Sequence, residues 1–173
     1  MAEGGSSKHR ADKLLPVMDG VKALADFSDR TGYSSVLELV AANTVFLHPD
    51  TVAQSSGQPL FPVIREPGRR GEFATLTDGW EVLLDDNTSP TLAFLWSARR
   101  AKRPDIQYNH VWGDPRNRST YTALWNLAVT PAFLAKTTDG SNHPEVLQGL
   151  RCRTFELHGF VPAGEEEPRC PAG

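Results

Sequence analysis

The chain has 173 residues, 39% hydrophobic and 23% charged, within the range of one domain with a sizeable core. A net charge of −3 gives no overall attraction to nucleic acid, and no apolar run reaches the roughly 18 residues of a transmembrane helix. Two cysteines, Cys152 and Cys170, are too few for a disulfide scaffold, and the polar opening MAEGGSSKHRADK lacks a signal-peptide core, so a cytoplasmic protein with no membrane partner is expected.

Residues 1–12 are Gly, Ser and charge and read as a disordered tail. Val17, Val21, Leu24 and Ala25 recur at helical spacing and predict a helix over 17–29. Ser34 or Ser35 caps a second helix that runs through Ala42. The pair reads as a helical hairpin, or as half of a helix-turn-helix whose second helix has Glu38 and no Lys or Arg. Residues 44–47 are a short β-prone run stopped by His48-Pro49. Residues 54–59 are a loop, and 60–65 an edge strand with Pro62 inside it. Residues 66–71 turn, and 72–76 with 80–84 form a hairpin, so the middle of the chain is a small antiparallel sheet. Ser89-Pro90 opens a helix with Leu92, Leu95 and Trp96 on its apolar face. Arg100, Lys102 and Arg103 close it where the helix dipole favours cations. Pro144 to His158 is a further helix, ended by Gly159. Residues 163–173 read as a second tail, leaving one domain over 13–162.

The stretch from Asp105 to Asp139 is read as strand, loop, strand, helix. Ile106 to His110 is the first strand, stopped by Gly113-Asp114-Pro115. Leu127 to Thr130 is the second, with Thr130 as N-cap, Pro131 as first helical residue and Ala132 to Thr138 as the helix. Asn109-His110-Val111, Asn126-Leu127 and the Pro131 helix, in that order, resemble the ββα-metal (HNH-type) nucleases. The resemblance spans residues 105–139. It implies a ββα-like C-terminal half, with His110 as the general base that activates water and Asn126 as the residue that holds the loop. It also implies one divalent metal ion, magnesium or manganese, for which Asn109 and Asp139 are the candidate ligands. Asn109 stands where the family has an acid, and Ala135 where its helix carries a ligand.

From Ser97 to Tyr121 six basic residues face two acidic ones. Arg99, Arg100, Arg103, Arg116 and Arg118 are the candidate contacts to DNA or RNA phosphates, with closure of the helix end as the alternative for Arg100 and Arg103. Trp96, Tyr108, Trp112, Tyr121 and Trp125 surround this region as core residues or as base-stacking surfaces. No nucleotide-binding or hydrolase signature such as GxxxxGK[ST] or GxSxG occurs, and Cys152 reads as a buried, inert thiol. The expectation is one α+β domain of small antiparallel sheet, N-terminal helices and ββα-like C-terminal half. Its function is metal-dependent phosphodiester hydrolysis, or binding of nucleic acid or a protein partner without catalysis. Oligomeric state has no sequence signal.

Overall fold

Each helix starts where a side chain or a proline can replace the missing intrahelical partners. The structure, a computed structural model, describes residues 19–138 and 143–170. Helix α1, Gly20–Arg30, opens on Asp19, whose Oδ1 accepts from the Val21 and Lys22 amides at 3.0 and 3.1 Å. Helix α2, Val36–Asn43, opens on Ser35, while Glu38 reaches back to the Ser34 amide at 2.7 Å. Strand β1 is Val45–Phe46. His48-Pro49 does not only end that strand. It begins a short helix, α3, Pro49–Ala53, with His48 Nδ1 accepting from the Asp50 amide.

Residues 60–84 depart from the expected all-antiparallel arrangement. Strand β2, Val63–Arg65, runs parallel to β4, Glu81–Asp85, and β3, Phe73–Thr75, pairs antiparallel on the other side of β4. The chain leaves β2 through a 3-10 turn at Pro67–Arg69, crosses to the far edge, and returns by the predicted hairpin. The return direction is therefore that of β2.

Helix α4, Thr88–Ala98, follows. Its buried residues are Pro90, Ala93, Phe94 and Leu95, whereas Leu92 and Trp96, expected inside, are exposed. Arg99 caps it in the left-handed conformation at φ 51°. Arg100, Lys102 and Arg103 therefore lie beyond the helix and not in its last turn.

A second sheet has the order β1-β6-β5, all antiparallel, with β5 at Ile106–His110 and β6 at Leu127–Pro131. Thr130 and Pro131, expected to open a helix, instead end β6. Pro131 is tolerated because the Ala132 amide bonds to Asp105 on the β5 side, while Pro131 itself faces the side where β1 has not yet begun. Ala132–Thr138 then winds as a 3-10 helix. The hydroxyls of Thr137 and Thr138 donate to the carbonyls three residues back, at 2.6 and 2.9 Å, which suits the tighter winding.

Helix α5, Pro144–His158, ends on Gly159 at φ 73°. Its Gly149 admits Leu37 of α2, since an added Cβ would lie 2.4 Å from Leu37 Cδ1. Residues of α2, α4, α5 and β6 share one core with Trp112, Leu124 and Trp125 of the intervening loop, and Ile64, Val82 and Leu84 form a smaller one. The fold is α+β. Residues 163–170, expected as a free tail, run beside α5, where Gln148 Nε2 donates to the Arg169 carbonyl at 2.8 Å. Among the described residues no helix is long and apolar enough to cross a membrane.

Candidate functional site

The loop over residues 111–126 joins the two strands of the β5–β6 hairpin and sets the site's geometry. It is clamped from both ends. The Val111 amide donates to the Asn126 carbonyl at 2.9 Å, closing the hairpin one step beyond the His110–Leu127 register. On its other flank Thr122 exchanges hydrogen bonds with the Phe61 backbone, both at 3.0 Å, and the Arg65 amide donates to the Pro115 carbonyl at 2.8 Å. The loop is thus wedged between the two sheets.

Asn126 is the internal tie of that loop. It is fully buried. Its Oδ1 accepts from the Trp112 amide at 2.7 Å, and its Nδ2 donates to the carbonyls of Trp112 and Thr120 at 3.2 and 3.0 Å. The amide accepts once and donates twice, whereas a carboxylate has no hydrogen to donate and a hydroxyl has one, so neither could make all three bonds. His110 and Asn126 are brought together as neighbours across the hairpin.

His110 is held on the face of Tyr121, with ring centroids 5.2 Å apart and planes at 13°. Its Nε2 lies 2.9 Å from the Tyr121 carbonyl. A carbonyl can only accept, so Nε2 carries the hydrogen. The neutral ring then has its lone pair on Nδ1, which has no partner among the described residues. Burial holds the imidazole below the ordinary histidine value, and the positive charge of Arg65 adds to this, against the opposing carbonyl bond. Tyr121 is itself anchored, its hydroxyl 3.2 Å from buried Asp85 and 3.4 Å from Asn87. Burial raises the Tyr121 phenol well above its usual range, so it stays protonated.

His110 lines a cavity of about 530 Å³ together with Arg65, Asn87, Gln107, Asn109, Thr138 and Arg151. Arg65 and Arg151 carry the cavity's positive charge and no sequence pattern singles them out, since they lie 86 positions apart in the chain. Arg151, on α5, stacks its guanidinium 4.6 Å over the Trp112 ring.

The five arginines singled out from the sequence lie elsewhere. Arg103 forks onto Asp105 at 2.9 and 2.7 Å. Arg116 pairs with Glu66, and Arg118 pairs with Asp78 while lying over Trp80. Arg99 lines a different cavity beside Trp96 and Leu124, and Arg100 is exposed. None of the five lines the His110 cavity. Their local excess of charge is mostly spent on neighbouring carboxylates, in exposed pairs of little net value.

Of the two candidate metal ligands, Asp139 lies outside the described residues. Asn109 is already used: its Nδ2 donates to Thr130 at 2.9 Å and its Oδ1 accepts from Thr138 at 3.2 Å. The described lining offers an imidazole and the side-chain amides of Asn87, Gln107 and Asn109, no carboxylate, and two guanidinium groups. Magnesium and manganese ask for carboxylate oxygen, so this donor set does not fit them. Other carboxylates are committed elsewhere: Asp85 caps α4 through the Ser89 amide, and Asp86 pairs with Arg70. His143 opens α5 beside Glu145 and lines a cavity with α1, away from His110. Burial pushes the Cys152 thiol up to about 12, which leaves it inert as a nucleophile.

In comparisons with known proteins, no family model, no curated protein and no solved structure matches this chain.

Proposed function

We propose that this protein acts on the phosphodiester backbone of nucleic acid, with His110 as general base. The observation that carries this reading is the state of His110. Its Nε2 lies 2.9 Å from a backbone carbonyl, which leaves the lone pair of the neutral ring on Nδ1, burial favours that neutral form, and the residue lines a cavity with two arginines. A neutral imidazole in that state can take a proton from water. The hydroxide then attacks phosphorus, the phosphorus–oxygen bond to the leaving sugar breaks, and the leaving oxygen takes a proton from solvent. Asn126 serves as a positioning residue that holds the loop under His110. No step passes through a metal ion.

A second reading, binding without cleavage, draws support from the same lining. Without carboxylates among its described residues, the cavity suits holding a phosphate strand at least as well as cutting one. The two readings separate in a plasmid-nicking assay with magnesium, with manganese and with chelator, comparing the protein with His110→Ala. Nicking that is lost in His110→Ala supports hydrolysis. Equal nicking by both proteins removes His110 from the chemistry. No nicking by either, alongside salt-sensitive binding to the plasmid, leaves the binding reading.

A further inference from the structure

We propose that the cavity beside His110 is a phosphate-binding site in which Arg65 and Arg151 grip one backbone phosphate of a single strand. This rests on the reading above and adds the groups that would hold the substrate. Several independent features point to an anion. Two guanidinium groups line the cavity and no described carboxylate does. Arg65, at the end of β2, makes no ion pair among the described residues, unlike Arg103, Arg116 and Arg118. Arg151 Nε is buried and has no hydrogen-bond partner there. A buried, unmatched cationic donor is costly, and an oxyanion held on the same guanidinium would offset its charge.

The geometry also favours phosphate over a shapeless counter-ion. Stacking on Trp112 fixes the plane of the Arg151 guanidinium, so its N–H edge is preorganised. That planar fork matches two oxygens of one phosphate. Arg65 stands close enough to His110 for its charge to act on the imidazole. Arg65, Arg151 and His110 line one cavity, so a phosphate held there by the arginines shares it with the His110 ring. The side-chain amides of Gln107 and Asn87 supply further neutral donors on the same lining.

The test measures fluorescence anisotropy of a short labelled single strand of DNA, in chelator, with His110→Ala as parent so that no cleavage intervenes. Adding Arg65→Gln or Arg151→Gln should each weaken binding about tenfold or more. Arg151→Lys should recover only part of the loss, because charge returns without the fork. Arg99→Gln and Arg100→Gln should bind as the parent does. Thermal melting of each variant separates lost binding from lost folding, and Arg65, being exposed, carries the test if Arg151 variants melt early. Parent-like binding by Arg65→Gln and by folded Arg151→Gln overturns the proposal, whatever the nicking assay gives. Arginine-dependent binding by a protein that never nicks sustains the phosphate site while the hydrolytic reading falls. Arginine-dependent binding of inorganic phosphate with no binding of the strand overturns the strand as ligand and assigns a free phosphate.

Discussion

Asn126 has three hydrogen bonds inside a fully buried position, and the partners it serves are all backbone groups of one loop. Asn126→Ala should destabilise the protein by about 2 kcal/mol, since the buried Trp112 amide would be left unmatched. Urea unfolding checks this, and an unchanged midpoint would remove Asn126 as the tie. Asn126→Asp should be at least as harmful, because its second oxygen would face two carbonyls. The sequence singled this residue out through the family resemblance, which expects an Asn at the start of the second strand to hold the loop. Nothing singled out Arg65. It looks like the last residue of an edge strand, and only the folding of α5 against the loop brings Arg151 to the same cavity. Asn109 was misread for a related reason. Sequence places it next to His110, but its amide is spent on Thr130 and Thr138, and that pairing depends on Ala132–Thr138 winding back over β5.

At the scale of elements, boundaries followed where capping and turn chemistry were local. Pro144 and Gly159 bracket α5, Ser35 opens α2, and Gly79 turns the β3–β4 hairpin at φ 84°. Elements whose identity depends on distant contacts did not follow. Thr130-Pro131 has every local mark of a helix start, yet pairing with β5 outweighs it. The parallel placement of β2 likewise depends on where β4 returns. The α5 C-terminus is locked to the 54–59 loop in a way that can be probed directly. Gly57 has φ 73°, its carbonyl accepts from Trp125 Nε1 at 2.9 Å, and an added Cβ would lie 2.4 Å from the Phe160 ring. Phe160 in turn stacks on Trp125 with ring centroids 6.1 Å apart. Gly57→Ala should therefore cost about 2 kcal/mol through backbone strain and overpacking. Trp125 fluorescence and thermal melting should both shift. A variant that melts like the parent would mean that Phe160 swings aside freely.

For the molecule as a whole, charge and burial make separate predictions. The net charge is −3, so strand binding through one phosphate held by the two cavity arginines should show a weak salt dependence, with a slope of log affinity against log salt of about −0.7 for a single strand. A slope near −3.5 would instead require the five dispersed arginines as phosphate contacts. Stability should depend on pH through two histidines. Burial lowers the pKa of both His110 and His158, while in the unfolded chain each titrates near about 6.5. Below that value the unfolded state takes up the proton first. The stability they contribute is complete above the unfolded value and is lost as pH falls through the depressed folded values. Melting temperature should thus drop from pH 7 toward pH 5, and less steeply in a His110→Gln, His158→Gln double variant. Equal slopes in both proteins would assign the acid sensitivity to other groups.

The central claim is that His110 is held as a neutral base with its proton on Nε2. Long-range nitrogen–proton NMR at pH 7.5, with the His110 signals assigned by their absence in His110→Gln, reads this state directly. The account predicts an Nε2–H tautomer whose Nδ1 takes up a proton only below the ordinary histidine value. An Nδ1–H tautomer, or a ring still protonated at that pH, would contradict it.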